Sequence, residues 1–430
     1  MLTVIAAIFV LGVLIFIHEL GHFLVAKGTG IRVERFSLGL PPKMIGKKLG
    51  ETEYLISWIP LGGYVRMAGD NPEEPLTGEP WEFLSRPRWQ RMMVIVAGPV
   101  MNYLFAFLLV WWILFFGGIA TLDPVIDQVV EGSLAERSGL VSQDKITTLS
   151  GRPVTSWDEI FEILLREQGK PVSAEVERDG QVQQLLLDLR GISQEEIRDF
   201  GITPLMTTMV GDVETGGPAE QAGIRSGDII LTIDDVPVSR WSEMVALIHN
   251  KTDTTISVQW LRGAETHKAL IKTKVFKIPD EHGKMKPTAF IGITSRVTYK
   301  NIGILRSALE SSKWTFDVTK QIAFFVKGLV TGEVSARMVG GPIFIAQVAG
   351  QSVKQGFASL LSFMALLSVN LALLNLLPIP ILDGGHLLIL LVEAAKRSSL
   401  STKQRMVIQQ LGLVLIIFMV LFVIFNDVTR

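Results

Sequence analysis

The chain has no cysteine in its 430 residues. That excludes disulfides, thiolate metal ligands and a thiol nucleophile. It has no charge surplus either: the formal net charge is −1, which offers nothing to nucleic acid. Histidine is scarce, with six in all. The N-terminus lacks a basic n-region, so the first apolar run reads as a retained anchor rather than a cleaved leader. Hydrophobic residues make up 48%, which suits a chain divided between membrane and water. At this length a single compact domain is not expected.

Two of the six histidines stand four apart in His18-Glu19-Leu20-Gly21-His22, inside the apolar run Leu2 to Ala26. On a helix they share one face, one turn apart. Two imidazoles so placed can grip one Zn²⁺, and Glu19 is close enough to work on a bound water. In a soluble helix the same pattern occurs by chance on the surface. At membrane depth three ionisable side chains are costly, and they mark a functional site. The expectation is hydrolysis of a bond within or beside the bilayer.

Four stretches are long and apolar enough to span: roughly 2–26, 92–117, 357–378 and 406–425. The segment 27–91 is rich in Lys and Arg, Arg91 included. Lys396, Arg397, Lys403 and Arg405 follow the third span. The positive-inside rule puts both segments in the cytoplasm. Both termini and the block 118–356 then lie outside, in the periplasm of a Gram-negative cell.

That block holds an internal repeat. Ala135-Glu136-Arg137-Ser138-Gly139-Leu140-Val141-Ser142-Gln143-Asp144 recurs as Ala219-Glu220-Gln221-Ala222-Gly223-Ile224-Arg225-Ser226-Gly227-Asp228. Alternating runs at 172–177 and 255–260 read as half-buried strands. The pattern resembles the PDZ fold, more closely in the second unit, since Gln143 replaces a glycine in the first. Such domains bind extended peptides at a sheet edge; the alternative is a pair of spacers. Beyond them, 302–330 has helical periodicity with Trp314, Phe316, Ile322, Phe324 and Phe325, and suits an amphipathic helix on the outer membrane face.

Thr52 to Arg66 reads as two β-prone runs joined by Pro60-Leu61-Gly62-Gly63, a hairpin signature. It is too apolar for cytosol. Dipping into the membrane, its free edge could pair with an unwound substrate segment, with Tyr64 and Val65 as candidate contacts. A catalytic zinc needs a third protein ligand at the depth of His18 and His22. The third span ends in Asn375-Leu376-Leu377-Pro378-Ile379-Pro380-Ile381-Leu382-Asp383-Gly384-Gly385-His386. Asp383 is the first acid after a long uncharged run, and the two prolines let the loop turn it inward. His386 is the competing candidate.

His18 to His22 together with N-x-x-P-x-P-x-L-D-G over 375–384 resembles the site-2 protease family of intramembrane zinc metalloproteases. The tandem repeat between spans two and three narrows the resemblance to its bacterial, sigma-E-regulating branch. The resemblance covers essentially the whole chain. It implies a polytopic α-helical membrane protein of four transmembrane helices, with a membrane-reentrant β-hairpin at about 52–67 and two inserted PDZ domains. The expected divisions are 1–117, 118–200 and 201–277 (the two PDZ units), 278–356 (linker and surface helices) and 357–430.

The resemblance also implies roles. His18, His22 and Asp383 bind one Zn²⁺, and Glu19 is the general base. Asn370 and Asn375 help hold substrate, and Asn102 in Gly98-Pro99-Val100-Met101-Asn102 supports the site or packs beside it. The implied substrates are single-span membrane proteins already trimmed outside: an anti-sigma factor, and remnant signal peptides. The PDZ pair would exclude bulky outer domains. Gly39-Leu40-Pro41-Pro42 departs from the family's usual G-F-G. A membrane-anchored scaffold and a zinc transporter are the rival readings; zinc occupancy combined with Glu19 dependence separates them from a protease.

Overall fold

The computed structural model describes residues 2–71, 77–279, 285–398 and 400–429. Among the described residues, four helices are long and apolar enough to cross a membrane. They are α1 (Leu2–Gly28), α2 (Arg88–Gly117), a later helix at Phe357–Asn375 and the last at Thr402–Thr429. The contacts divide the chain into two units. One joins Met1–Gly117 to Ile302–Arg430; the other is Gly118–Asn301.

In the first unit α1 and α2 meet at glycine. A Cβ on Gly21 would stand 2.3 Å from the Ala97 carbonyl oxygen, so only hydrogen allows this approach. Between these helices run β1 (Val33–Leu49) and β2 (Thr52–Met67). They turn at Gly50, whose φ is +63°. The two expected runs of the hairpin exist, but they do not pair with each other. Arg35 to Leu38 lies between them, facing Glu53 to Ile56 on one side and Arg66 back to Gly63 on the other. The Pro60–Gly63 stretch is thus a bend in β2 rather than a hairpin turn. Pairing with 33–38 satisfies both inner edges and leaves the outer side of 63–67 without a strand partner among the described residues, an outcome local turn chemistry could not signal.

After the insertion come α3 (Gly303–Thr331), α4 (Pro342–Gln355), α5 (Phe357–Asn375), α6 (Asp383–Lys396) and α7 (Thr402–Thr429). The α3 helix was expected to offer its aromatic face to the membrane surface. What it buries is the opposite stripe, Ser307, Ser311, Thr315 and Val318. Ser311 Oγ donates to the Phe107 carbonyl at 2.7 Å, and Thr319 Oγ1, whose proton goes to the Thr315 carbonyl, accepts from the Tyr103 hydroxyl at 3.1 Å. Small and hydroxyl residues let helices approach closely where no hydrophobic effect drives them together. Trp314 and Ile322 pack inward with α2 and α5; Phe316 and Phe324 point outward. At the far end, Asp427 of α7 accepts from the Gly341, Ile343 and Phe344 N–H groups at 2.8, 2.9 and 3.2 Å, and so closes the start of α4.

The second unit contains the repeat twice over. Strands 152–153, 145–149, 171–178 and 181–188 form one four-stranded sheet, and 236–237, 229–233, 255–262 and 265–272 form the other in the same order. Each covers one helix, Trp157–Arg166 or Trp241–His249, around its own core. The likeness reaches single bonds. Asp144 holds Arg178 at 2.7 Å, and Asp228 holds Arg262 at 2.8 Å. Each arginine also donates to the repeat's glycine carbonyl, Gly139 or Gly223. Gln143 takes φ +71° where its counterpart Gly227 takes +89°, so the departing residue keeps the glycine's turn.

Both cores run past the expected boundaries. Ile202–Pro204 pairs with Ile126–Val129, and Ile293–Ser295 pairs with Val210–Val213. Strands beyond 200 and beyond 277 thus pair back onto the first strands of the two units. Thr298–Lys300 then pairs with Ile119–Thr121.

Candidate metal centre

Four local devices bring the site together. The i,i+4 spacing puts His18 and His22 on one face of α1, with ring centroids 4.8 Å apart. Gly98 of α2 makes room for both, since a Cβ there would fall 2.5 Å from His22 Nε2 and 2.8 Å from His18 Cε1. Gly384 and Gly385 let the start of α6 press onto the turn before it, where Cβ atoms would meet the Leu376 and Ile379 carbonyls at 2.3 and 2.2 Å. That contact delivers Asp383 to the histidines. Finally Gly63 lies against Glu19, with its Cβ position 3.5 Å from Glu19 Cγ.

The three candidate ligand atoms converge. His18 Nε2 is 3.2 Å from His22 Nε2 and 3.0 Å from Asp383 Oδ2; His22 Nε2 is 3.6 Å from the same oxygen. A zinc ion bound at its usual ~2.0–2.2 Å in a tetrahedron needs ligand atoms roughly 3.3–3.6 Å apart. The triangle fits. Among the described residues this is the group of His, Asp and Glu able to hold a metal. His386 lines the same cavity but stands outside the triangle.

Hydrogen bonds fix which nitrogens face inward. His22 Nδ1 lies 2.7 Å from the Val94 carbonyl, which only accepts, so Nδ1 carries the proton and Nε2 the lone pair. The Asn102 amide lies 3.2 Å from His18 Nδ1 and is fully buried, with its Oδ1 left without a partner. Amide oxygen and nitrogen are interchangeable by shape. Turning this amide gives Oδ1 a donor in His18 Nδ1–H and frees Nε2 as a second lone pair. Asp383 Oδ2, likewise buried and without a hydrogen-bond partner, completes a set of three inward-facing donors of electron density.

Glu19 lies in the field of all three ligands, and the Val65 N–H donates to its carboxylate. Val65 lines a cavity of about 280 Å³ with Glu19, His22 and Asp383. Tyr64, its neighbour, pairs with Ser37 in the sheet. Asn375 Nδ2 comes within 3.4 Å of the His18 ring. Asn370 is half-buried on the same helix and makes no side-chain hydrogen bond among the described residues. Sequence reasoning missed the Val94 carbonyl, which carries no residue-type signal, and left the part played by Asn102 open.

Fold and site define a zinc metalloprotease set among membrane helices. The comparisons agree: the model of Peptidase family M50 matches residues 6–419, and the chain belongs to that family. It is a zinc metalloprotease of the site-2 type. It is 32% identical to "Regulator of sigma-E protease RseP" of Salmonella typhimurium over 448 residues, covering 99% of this chain and 98% of that one. It is 31% identical to the Escherichia coli protein of the same name, covering 98% and 97%. A relative in Neisseria meningitidis serogroup A that carries a zinc-metalloprotease name is 33% identical, covering 100% and 99%. Among solved structures, the PDZ domain of an SdrC-like protein from Listeria monocytogenes aligns at 27% identity over 21% of this chain and 85% of its own, with a TM-score of 0.17.

Proposed function

We propose that this protein cleaves single-span membrane proteins within their transmembrane segment, after an earlier cut has trimmed them outside. The observation that supports this best is Glu19, on an apolar helix with His18 and His22, beside a three-residue cluster completed by Asp383, in a cavity that Val65 of the outermost strand also lines. His18, His22 and Asp383 would hold one zinc, which would polarise the scissile carbonyl and lower the pKa of the attacking water toward ~7. Val94 and Asn102 keep the imidazoles in the binding tautomer. Glu19 takes the proton of the attacking water and returns it to the leaving amine. Tyr64 and Val65 add the unwound substrate as a strand, which exposes its peptide bond. Asn375 supplies a side-chain amide within 3.4 Å of the His18 ring, and Asn370 a second polar contact on the same helix.

The substrate class is that of the sigma-E-regulating relatives: an anti-sigma factor, with remnant signal peptides as a second class. The protein sits in the bacterial inner membrane, with both termini and the repeat in the periplasm and the site toward the cytoplasm. The repeat is a tandem of PDZ domains that bars untrimmed substrates by size. Two points support the tandem reading: the repeated Asp–Arg anchor and the shared strand order.

The test is cleavage of a trimmed single-span substrate in membranes, with bound zinc assayed on each purified protein. Glu19→Gln should keep zinc and lose at least ~10²-fold in rate. Asp383→Ala should lose both. Turnover retained in Glu19→Gln refutes the base assignment.

A further inference from the structure

Arg91 and Arg405 count, by sequence, among the cations flanking the spans, where water would solvate them. The fold encloses them instead. Arg91 is only 8% exposed, and both arginines line the cavity that holds Glu19, His22 and Asp383. The Arg91 guanidinium makes no hydrogen bond or ion pair among the described residues, and its Nε is buried without a partner. The opposing charge in its field is Glu393, whose Oε1 is already taken by Arg405 at 2.6 Å and the Leu400 N–H at 2.9 Å. Two guanidiniums share one carboxylate. None of the cavity's other acids, Glu19, Asp70 or Asp383, forms an ion pair with Arg91 among the described residues, so its charge is buried without a direct partner, which a fold keeps only at a cost.

Its position gives that charge a use. Val94, the next residue on the same face of α2, holds His22. Arg91 therefore stands about 4.5 Å of helix rise from the residue whose carbonyl holds His22, and lines the same cavity as the metal cluster. Peptide hydrolysis puts the water oxygen on the acyl carbon, which becomes a carboxylate, while the amine leaves with the proton. Each turnover creates a new anion in this cavity. A guanidinium is the side chain whose fork matches a carboxylate with two parallel hydrogen bonds.

We propose that Arg91, with Arg405 beside it, is a carboxylate-binding site of the catalytic cavity, and that it receives the C-terminal carboxylate made by cleavage. This rests on the protease reading above. An acidic side chain of the substrate offers the same chemistry from a second source.

The test is equilibrium binding of short apolar peptides to the full-length protein in detergent. A chelator is present, so that no metal can take the carboxylate. Three N-acetylated probes are compared: one with a free C-terminus, its C-terminal amide, and the amide with one internal glutamate. The wild type should bind a carboxylate probe about tenfold or more tighter than the plain amide. Preference for the free C-terminus assigns the site to product; preference for the glutamate probe assigns it to a substrate side chain. Arg91→Met should cut the preference below about twofold, and Arg91→Lys, which keeps charge but not the fork, should lose most of it.

Thermal melting separates a binding role from a structural one. Arg91→Met should melt at or above the wild-type temperature, because it removes a buried charge that has no ion pair. Equal binding of all three probes to the wild type overturns the proposal. So does a lower melting point in Arg91→Met with the preference intact. Failure of the protease reading is distinguishable: it would give Arg91-dependent binding in a protein that cuts nothing.

Discussion

Gly98→Ala is the smallest change that reaches the metal centre. The new methyl would stand 2.5 Å from His22 Nε2 and 2.8 Å from His18 Cε1. Carbon needs ~3.5 Å from such atoms, so one or both rings must retreat by roughly 0.7–1 Å. His22 cannot retreat freely, because the Val94 carbonyl holds its far side at 2.7 Å. The ligand triangle, with sides of 3.0 to 3.6 Å, opens by about a quarter. Disturbing ligand orientation typically costs ~10–100-fold in metal affinity, and a similar loss is expected here. Zinc affinity measured against a competing chelator reads this directly, and the melting temperature of metal-free protein serves as the fold control. Gly98→Ala with wild-type zinc affinity would refute the argument that this glycine sets the ligand spacing. Gly21→Ala makes the contrast, since its methyl meets backbone at 2.3 Å and should cost folding rather than metal alone.

Other outcomes follow from single observations. Asn102→Leu, at a fully buried position, should lower zinc affinity ~10–100-fold with little change in the position of α2, measured by the same chelator titration. Gln143→Gly should raise the melting temperature of the repeat, since a left-handed residue with a Cβ is strained by ~1 kcal/mol. Burial works against the charge of Glu159, but Lys300 and Thr155 outweigh it and hold its carboxyl down to about 2, from the ordinary 4.5. A depressed folded pKa contributes stability above the unfolded value that is lost as pH falls through the folded one. The melting difference between wild type and Glu159→Gln should be constant above about pH 5 and shrink toward zero near pH 2.

The metal motif was legible because two independent signals coincide in it: the i,i+4 spacing, and ionisable groups inside an apolar run. That Asp383 would come to lie beside the two histidines was legible from its depth. The spans and the repeat could be read because hydropathy and self-similarity are properties of the chain itself. What escaped depends on partners far away in sequence. Nothing in Glu34 to Leu38 announces that it will separate the two runs of 52–67. A carbonyl such as Val94's has no sequence identity as a ligand support. The hydroxyl stripe of α3 was hidden by its more conspicuous aromatics. Arg91 looked like a solvated flank because its burial is set by α6 and α7, not by its neighbours.

The pairing of Ile119–Thr121 with Thr298–Lys300 has a consequence for how the chain assembles. The membrane unit is discontinuous: its two halves are separated by everything from Gly118 to Asn301. Bringing the ends of an open loop that long together, rather than those of a few residues, amounts to five or six doublings of length, or roughly 3 kcal/mol of chain entropy. Because the inserted unit zips its own first and last strands, it settles that cost within itself. To α2 and α3 the whole insertion then behaves as a tight turn. The folding of the proteolytic half is thereby decoupled from the size of what is inserted in it, and domains could be gained or lost there without the active site having to be reinvented.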